Sequence, residues 1–199
     1  MNTLYLASGS PRRREILETL GYRIIRLPAE IDETPYSGER ADAYVQRMAV
    51  EKNTAALTQW RTQHPTEPQY PVLTADTTVS LGNTILGKPE SPEHAAQMLE
   101  QLSGSTHQVL TAAAVYWQGE TRSILQRSDV RFKTLSQTEI AAYIRSREPL
   151  DKAGAYGIQG IGGAFVEHLQ GSFTGVMGLP AHETIQLLAS FGLNVPPFA

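Results

Sequence analysis

Residues 71–86 read PVLTADTTVSLGNTIL, and this stretch decides the class of fold. Apolar and β-branched residues lie on both sides of Gly82-Asn83, a pair that is typical of a tight turn. We therefore predict a β-hairpin, whose two strands are antiparallel. A sheet that contains this hairpin is not purely parallel.

The segments around the hairpin alternate between strand and helix patterns. Strands are predicted over residues 3–7, 22–27, 164–169 and 173–177, with a second hairpin over 107–131 that turns at Gly119-Glu120. Helices are predicted over residues 11–21, 40–57, 92–103 and 136–144 and from Pro180 onward. Residues 61–71 have neither periodicity and are predicted to form an exposed loop. This interleaving predicts an α/β fold with a mixed central sheet flanked by helices.

Local signals mark two helix starts and one irregular segment. Ser10 before Pro11 predicts an N-cap followed by proline in the first helical position. Ser136 and Glu139 have the spacing of a capping box, in which each side chain accepts a hydrogen bond from a free backbone amide. The glycine-rich residues 154–163 exclude a regular helix.

Length and composition bound the function. With 199 residues the chain fits one domain or two closely joined lobes, and we treat residues 1–199 as a single domain. A formal charge of -3 offers no overall attraction for DNA or RNA, so we expect no nucleic-acid partner and only local phosphate binding. The absence of cysteine excludes disulfides and thiolate nucleophiles. No signal-peptide pattern or bilayer-length apolar run is present, so we expect a cytoplasmic protein without a membrane partner.

The first candidate site is residues 8–13, which read Ser-Gly-Ser-Pro-Arg-Arg. Here a strand ends, a small turn follows and a helix begins with basic residues in its first turn. Free amides and the helix dipole already attract anions at such a position, and the arginines strengthen that attraction. The alternative is a solvated helix face formed by Arg12, Arg13 and Arg14.

The second candidate is Asp76, an acid inside an otherwise apolar strand pattern. Aspartate suits strand interiors poorly, and an unpaired buried carboxylate is costly, so Asp76 requires a cation, a metal or several hydrogen bonds. A functional carboxylate satisfies this requirement. The alternative is an edge strand on which Asp76 faces water.

Residues 82–89, GNTILGKP, follow the phosphate-cradling loop pattern until its last position. That pattern needs Ser or Thr after the lysine and a helix directly behind it, and Pro89 supplies neither. We reject the phosphate-loop interpretation. Lys88 remains a candidate point charge for a phosphate, with a solvated loop lysine as the alternative.

Residues 150–160, LDKAGAYGIQG, combine glycines with closely spaced polar side chains. Glycine lets a backbone approach a ligand, and the amide of Gln159 both donates and accepts, as reading a base edge requires. The glycine spacing does not match a dinucleotide fingerprint. A tight structural loop is the alternative.

Three acids in an early loop, Glu30, Asp32 and Glu33, are candidates to join Asp76 in holding a divalent cation through oxygen ligands. Hydrated loop acids are the alternative. The five histidines lack paired spacing, so we expect no zinc site. No serine lies in a Gly-x-Ser-x-Gly elbow.

Five short motifs, in order along the whole chain, closely resemble those of the Maf family of nucleoside triphosphate pyrophosphatases. They are residues 6–13 (LASGSPRR), 75–77 (ADT), 87–89 (GKP), 151–156 (DKAGAY) and 178–180 (GLP). Each motif is weak alone, and five in order at compatible spacing are specific. Within the family, the chain resembles the branch that acts on dTTP and UTP.

The resemblance implies a role for each of nine residues. These are Asp76 as the proton acceptor; Ser8, Arg13, Lys52 and Lys88 on the triphosphate; Arg12, Thr77 and Gln159 in selecting the pyrimidine; and Glu33 with Asp76 on the metal. The cofactor implied is a divalent cation, Mg²⁺ or Mn²⁺. The position of Lys52 rests on spacing, because residues 51–55 depart from the family pattern, and the choice of Glu33 over Asp32 is one of register.

The resemblance further implies a cleft between two lobes, as in inosine triphosphatase-like folds, and a homodimer. The implied reaction is hydrolysis of dTTP or UTP, or of modified pyrimidine nucleotides, to the monophosphate and pyrophosphate. One rival is the sister branch acting on 7-methyl-GTP, against which the pattern of residues 156–160 argues. A second is a nucleotide-binding regulator of cell division that does not turn its ligand over. A nucleic-acid-binding domain is disfavoured by the charge balance.

Overall fold

The computed structural model of the chain describes residues 2–193. Its strands are β1 (Thr3–Leu6), β2 (Arg23–Arg26), β3 (Val72–Leu81), β4 (Thr84–Leu86), β5 (Thr106–Trp117), β6 (Glu120–Phe132) and β7 (Val166–Gln170). Its α-helices are α1 (Pro11–Thr19), α2 (Ala41–Gln63), α3 (Pro92–Leu102), α4 (Gln137–Arg145), α5 (Phe173–Met177) and α6 (Ala181–Ala189). Short 3₁₀ helices cover Glu148–Asp151, Ala153–Ala155 and Ile161–Phe165.

The strands form one seven-stranded mixed sheet. Its order is β2-β1-β3-β5-β6-β7, and β4 pairs with the end of β3. β1 is parallel to β2 and β3, whereas β3, β5, β6 and β7 are each antiparallel to their neighbours. The predicted α/β fold with a mixed sheet and flanking helices is therefore confirmed, as is the hairpin that turns at Gly82-Asn83.

The middle of β3 has a partner strand on one side only. β1 pairs with β3 through just two residues, opposite Val72 and Leu73, and then leaves the sheet to enter α1. β4 reaches β3 only from Val79 onward. Residues 74–78 therefore pair with β5 alone among the described strands. The resulting crevice lies beside the carboxyl end of β1, where open α/β sheets commonly bind ligands.

Helices cover both faces of the sheet. On one face, α2 places Val45 and Met48 against alternate residues of β5, including Ala112. On the other face, α1 and α6 place Leu17 and Leu187 against the intervening residues of the same strands. Because successive strand residues point to opposite faces, the alternation in β3 and β5 supplies both cores. Among residues 2–193, no helix is long and apolar enough to cross a membrane.

The strand predicted over residues 173–177 is wrong, because this segment is the short helix α5. Ser172 precedes it, and its side chain accepts a hydrogen bond from the backbone amide of Gly175. This N-cap satisfies a free amide at the start of the helix, and it outweighs the strand preference of the aromatic and β-branched residues. The strand predicted over 164–169 is present as β7, which begins two residues later behind a 3₁₀ helix.

Two boundaries and one helix cap also differ from the predictions. α2 continues to Gln63 and so takes in the start of the loop predicted over residues 61–71. The second hairpin turns at Gln118 and Gly119, both with positive φ, one residue earlier than predicted. Ser10 occupies the N-cap position of α1, but its side chain makes no capping hydrogen bond. The capping box of Ser136 and Glu139 is present as predicted.

Candidate active site

A cavity of about 710 Å³ opens at the unpaired segment of β3. Its lining combines the β1–α1 turn, the loop before α2, the middle of β3, the turn after β4 and the loop that follows α4. All nine residues to which the family resemblance assigns a role line this cleft, whereas the candidate acids Glu30 and Asp32 do not. The nine are Ser8, Arg12, Arg13, Glu33, Lys52, Asp76, Thr77, Lys88 and Gln159. The structure thus brings them together from across the chain, while their individual roles stay predictions.

Asp76 lies at the floor of the cleft and is paired with a cation. It is 7% exposed, and its Oδ1 accepts a hydrogen bond from Lys52 Nζ at 2.7 Å. The same ammonium group lies 2.7 Å from Glu33 Oε1. Two carboxylates thus converge on one buried cation. The alternative in which Asp76 simply faces water does not hold, although its strand does have a free edge at this point.

Lys52 reaches Asp76 because α2 is fastened to β3 by polar contacts between buried groups. Thr74 donates its hydroxyl to the carbonyl of Ala49 at 2.7 Å, and Asn53 donates its side-chain amide to the carbonyl of Val72 at 3.0 Å. Both bonds flank Lys52 along the helix. They fix the rotation of α2 about its axis and so aim the lysine at the strand.

Glu33 comes from the loop before α2 and is about half exposed, at 46%. Burial acts to raise the pKa of Glu33, but the hydrogen bond and charge of Lys52, with the charges of Lys88 and Arg13, outweigh it and lower the pKa. The hydroxyl of Tyr44 donates to the carbonyl of Glu33 at 2.9 Å. Asp32 instead accepts from the amide of Thr34, outside the cleft lining. The register therefore directs Glu33, not Asp32, at Lys52.

Arg13 approaches the cleft from the other face of the sheet. It contacts Thr77, which points to the opposite face from its neighbour Asp76 because side chains alternate along a strand. Its guanidinium donates to the carbonyl of Gly178 at 2.8 Å, to Ser8 Oγ at 2.9 Å and to Thr77 Oγ1 at 3.2 Å. Burial lowers the pKa of Arg13, while the charge of Asp76 acts to raise it. Arg13 is thus a buried cation held by neutral acceptors, which leaves its charge available to an anion.

Lys88 follows β4 and lies at the exposed rim of the cleft. Its neighbour Gly87 accepts a hydrogen bond from the amide of Gly154 at 3.0 Å, so the turn after β4 is tied to the glycine-rich loop. Within residues 2–193, Lys88 forms no salt bridge. Its charge can therefore meet a ligand at the mouth of the cleft.

The glycine-rich loop forms the wall opposite α1. Gln159 is exposed on this wall, and Arg12 faces Asp151 across the cleft with 4.0 Å between Nη1 and Oδ2. Lys152 also lines the cleft and donates to Asp151 Oδ1 at 2.6 Å. The sequence analysis quoted residues 151 and 152 within a motif but assigned them no role. The sequence signal that could have identified them as site residues is their charge next to a run of glycines.

Tyr44 is another cleft residue that the sequence analysis did not assign. It lies in the helix predicted over residues 40–57, where its aromatic ring fits the apolar face that packs on the sheet. Burial raises the pKa of its hydroxyl to about 12, so the group stays protonated and donates. A tyrosine on an apolar helix face gives no sequence signal that separates this role from core packing.

The donors at the cleft floor suit a divalent cation that binds together with a phosphate chain. Glu33 and Asp76 lie close together, since both contact the Lys52 ammonium group, and no cluster of three or more His, Cys, Asp or Glu side chains suited to a metal occurs in residues 2–193. Mg²⁺ typically takes one or two carboxylates and completes its shell with water and substrate phosphates. Two carboxylate ligands therefore fit a Mg²⁺ or Mn²⁺ ion that arrives with a triphosphate.

Paired carboxylates among buried and rim cations, at the unpaired segment of a mixed sheet, are typical of enzymes that act on phosphorylated substrates. The chain belongs to the family described as Maf-like protein, whose sequence profile matches residues 3–191. The resemblance noted from the five motifs is therefore confirmed.

Relatives in this family are similar to the chain over almost its full length. A Neisseria gonorrhoeae protein named dTTP/UTP pyrophosphatase is 53% identical over 196 residues, which cover 98% of this chain and 97% of the relative. A Pasteurella multocida protein of the same name is 52% identical and covers 96% of each chain. A Haemophilus ducreyi protein named nucleoside triphosphate pyrophosphatase is 51% identical over 98% of each. Among solved structures, the Staphylococcus aureus Ham1 protein has a TM-score of 0.45 with 14% identity, over 94% of this chain and 89% of that one.

Proposed function

We propose that the chain hydrolyses dTTP and UTP, and pyrimidine triphosphates with modified bases, to the nucleoside monophosphate and pyrophosphate. The observation that carries this proposal is the pairing of Asp76 with Lys52 and Glu33 at the floor of a cleft that Arg13 and Lys88 also line. Relatives of about the same length and about half identical in sequence carry the name dTTP/UTP pyrophosphatase.

The reaction adds water across the bridge between the α and β phosphates. One phosphorus gains a bond to the water oxygen, the bridging bond breaks, and the water gives up a proton. We assign to Asp76 the orientation of that water and the acceptance of its proton. This assignment is supported by the hydrogen bond from Lys52, which fixes the carboxylate, and by the position of Asp76 on the cleft surface. Lys52, Arg13 and Lys88 offset the negative charge that shifts among the phosphate oxygens.

Glu33 and Asp76 are the residues that would hold the Mg²⁺ or Mn²⁺ ion. When bound, such an ion neutralises phosphate oxygens and lowers the pKa of a coordinated water. Ser8, whose Oγ accepts from Arg13, belongs to the turn at the N-terminus of α1 and offers backbone amides to a phosphate.

Selection of the pyrimidine falls to the part of the cleft between α1 and the glycine-rich loop. Arg12 and Gln159 lie on these two walls, and both carry planar groups able to hydrogen-bond a base edge. Thr77 contributes less directly, because its hydroxyl already accepts from Arg13. It helps to fix the position of that guanidinium in the cleft.

We also infer a homodimer and a cytoplasmic location from the family resemblance. Light scattering coupled to size exclusion measures the first, with a mass of twice 21.8 kDa as the expected result. Cell fractionation measures the second. A monomeric mass or an extracellular product contradicts the respective inference.

The deciding experiment incubates the protein with a panel of nucleotides and either Mg²⁺ or Mn²⁺, and assays pyrophosphate and orthophosphate separately. The panel contains dTTP, UTP, dCTP, dGTP and 7-methyl-GTP. Pyrophosphate released preferentially from dTTP and UTP is the expected result. Preference for 7-methyl-GTP identifies the sister activity, and binding without any product identifies a nucleotide sensor. Orthophosphate as the sole product contradicts the proposed cleavage between the α and β phosphates.

A further inference from the structure

Glu148 lines the cleft but has no part in the proposed reaction. Its carboxylate accepts three hydrogen bonds from the wall of the cleft. Oε1 accepts from the Tyr143 hydroxyl at 2.8 Å and from the amide of Gly162 at 3.1 Å, and Oε2 accepts from the amide of Ile161 at 2.9 Å. One side chain thus ties α4 to the far end of the glycine-rich loop.

Gly160 and Gly162 allow the loop to approach Glu148 and Tyr143 closely. A Cβ atom on Gly160 would lie 2.5 Å from Cδ of Glu148, and a Cβ on Gly162 would lie 2.5 Å from the Tyr143 hydroxyl oxygen. Both distances are too short for real atoms. The backbone of residues 157–162 therefore packs closely around Glu148, and its conformation depends on the hydrogen bonds to the carboxylate.

The same arrangement holds the start of the loop. The backbone carbonyl of Glu148 accepts a hydrogen bond from Lys152 Nζ at 2.6 Å, and the hydroxyl of Tyr143 accepts from the amide of Gly157 at 3.1 Å. A Cβ on Gly157 would lie 2.8 Å from Lys152 Cε. Glu148, Tyr143 and Lys152 thus form one cluster, which we call the loop clasp.

Gln159 sits between the two points held by the loop clasp and lines the cleft. Within residues 2–193 its side chain makes no hydrogen bond, so its direction depends on the backbone that carries it. Burial acts to raise the pKa of Glu148, but the amides of Gly162 and Ile161, the Tyr143 hydroxyl and the charge of Lys152 outweigh it and lower the pKa. The carboxylate is therefore charged at neutral pH.

We propose that Glu148 is a positioning residue for nucleotide selection: its carboxylate fixes the loop over residues 157–162 so that Gln159 meets the base of the bound nucleotide. This assignment rests on the proposed function, which it deepens by naming what holds the base-reading wall. It does not place Glu148 in contact with the substrate.

Replacing Glu148 with Gln tests the assignment with little change in size. An amide cannot accept at both of its atoms, so one of the backbone amides, at Ile161 or Gly162, loses its acceptor. We expect KM for dTTP to rise about tenfold, the typical effect of losing a hydrogen bond to a charged group. We also expect the kcat/KM ratio of dTTP over dGTP to fall, with kcat nearly unchanged because the cleft floor at Asp76 is untouched.

Two further variants support the reading of this result. Glu167→Gln is the matched control, because Glu167 pairs with Arg131 on the exposed face of β7 and does not line the cleft. Tyr143→Phe removes only the hydroxyl and keeps the ring that packs on Phe165, with centroids 5.0 Å apart. It should shift KM and selectivity in the same direction by a smaller factor. If the Glu148 variant does not fold, Tyr143→Phe tests the assignment in its place.

Hydrogen exchange of the loop gives a readout that does not depend on turnover. Amides of residues 157–163 should exchange faster in Glu148→Gln than in wild type, while those of α2 should not change. Unchanged exchange, or faster exchange with KM and selectivity at wild-type values, overturns the assignment while the proposed function stands. Wild-type protein that releases no pyrophosphate from any nucleotide contradicts the proposed function and the assignment together.

Discussion

The position of Asp76 combines two environments that sequence reasoning treated as alternatives. The strand has a free edge beside residue 76, yet the carboxylate is buried and paired with Lys52. The free edge gives a ligand access to the backbone and side chain at this point. The ion pair offsets the cost of keeping a carboxylate charged while it is shielded from water. A carboxylate that accepts a proton from water, the role we propose for Asp76, needs both the access and the charge.

Asp76→Asn should lower kcat by about 10²- to 10⁴-fold, the usual contribution of a general acid or base. The amide keeps the shape of the side chain but accepts a proton poorly. Nucleotide binding should persist, because Arg13 and Lys88 are unchanged. Turnover at saturating dTTP and equilibrium binding of dTTP measure the two effects.

Asp32→Asn is the matched control for this prediction. Asp32 lies one residue from Glu33 but contacts Thr34 instead of Lys52, so we expect wild-type turnover. Wild-type turnover in Asp76→Asn, or a large loss in Asp32→Asn, contradicts the arrangement of the site.

His107 makes the stability of the protein depend on pH. It is 1% exposed, its Nε2 lies 2.8 Å from the Tyr156 hydroxyl, and its Nδ1 has no hydrogen-bond partner among the described residues. Burial lowers the pKa of His107 to about 4. Between that pH and about 6.5 the unfolded chain binds a proton that the folded chain does not, so stability falls as the pH falls through this window.

Between pH 7 and pH 5, the free energy of unfolding of wild type should therefore fall by about 2 kcal/mol more than that of His107→Gln. Glutamine retains a group that can bond the Tyr156 hydroxyl but does not titrate. Urea unfolding at both pH values measures the difference. Equal pH dependence in the two proteins would show that His107 does not stay neutral in the fold.

At the scale of elements, local signals predicted most of the fold. Alternation and turn residues identified both hairpins, and Ser136 with Glu139 identified the start of α4, because these features depend on neighbours within a few residues. The segment 173–177 was predicted wrongly because its composition favours a strand while Ser172 caps it as a helix. The 4-residue pairing of β1 with β2 and the brief pairing of β1 with β3 involve distant residues and leave no local signal.

Two serines at N-cap positions should differ in their contribution to stability. Ser136 accepts from the amide of Glu139 at 3.3 Å, with the Glu139 carboxylate bonded back to the Ser136 amide at 2.9 Å. Ser136→Ala should lower the free energy of unfolding by about 1 kcal/mol. Ser10 caps nothing with its side chain, so Ser10→Ala should change the value by much less. Urea unfolding of both variants measures this, and equal losses would contradict the assignment of the two caps.

At the scale of the whole molecule, the cleft exists because distant segments meet. Arg13 on α1 donates to the carbonyl of Gly178, 165 residues away, and Lys52 on α2 contacts Asp76 on β3. The five motifs, and the family resemblance that they carry, predicted which residues would gather. They did not predict that Lys52 would bridge two carboxylates or that Glu148 would hold the loop, because both contacts depend on how the chain folds back on itself.

Gly154 joins the two sides of the cleft, and its replacement tests that junction. Its amide bonds the carbonyl of Gly87, and its φ is +69°. A Cβ here would lie 2.8 Å from Val79 Cγ2 in the core below the cleft. Gly154→Ala therefore combines an unfavourable backbone conformation with overpacking, which typically costs about 1–3 kcal/mol by itself.

Gly38→Ala separates these two effects, because Gly38 has a similar φ of +73° and nothing within 4 Å of an added Cβ. We expect Gly38→Ala to lose only about 1 kcal/mol of unfolding free energy, the cost of the left-handed conformation. Gly154→Ala should lose more unfolding free energy than this, because overpacking against Val79 adds to the cost. It should also raise KM for dTTP, because the displaced loop carries Lys152 and Gln159. Equal losses in the two variants, with KM unchanged, would mean that the loop is not seated on Val79 and that the two walls of the cleft are positioned independently.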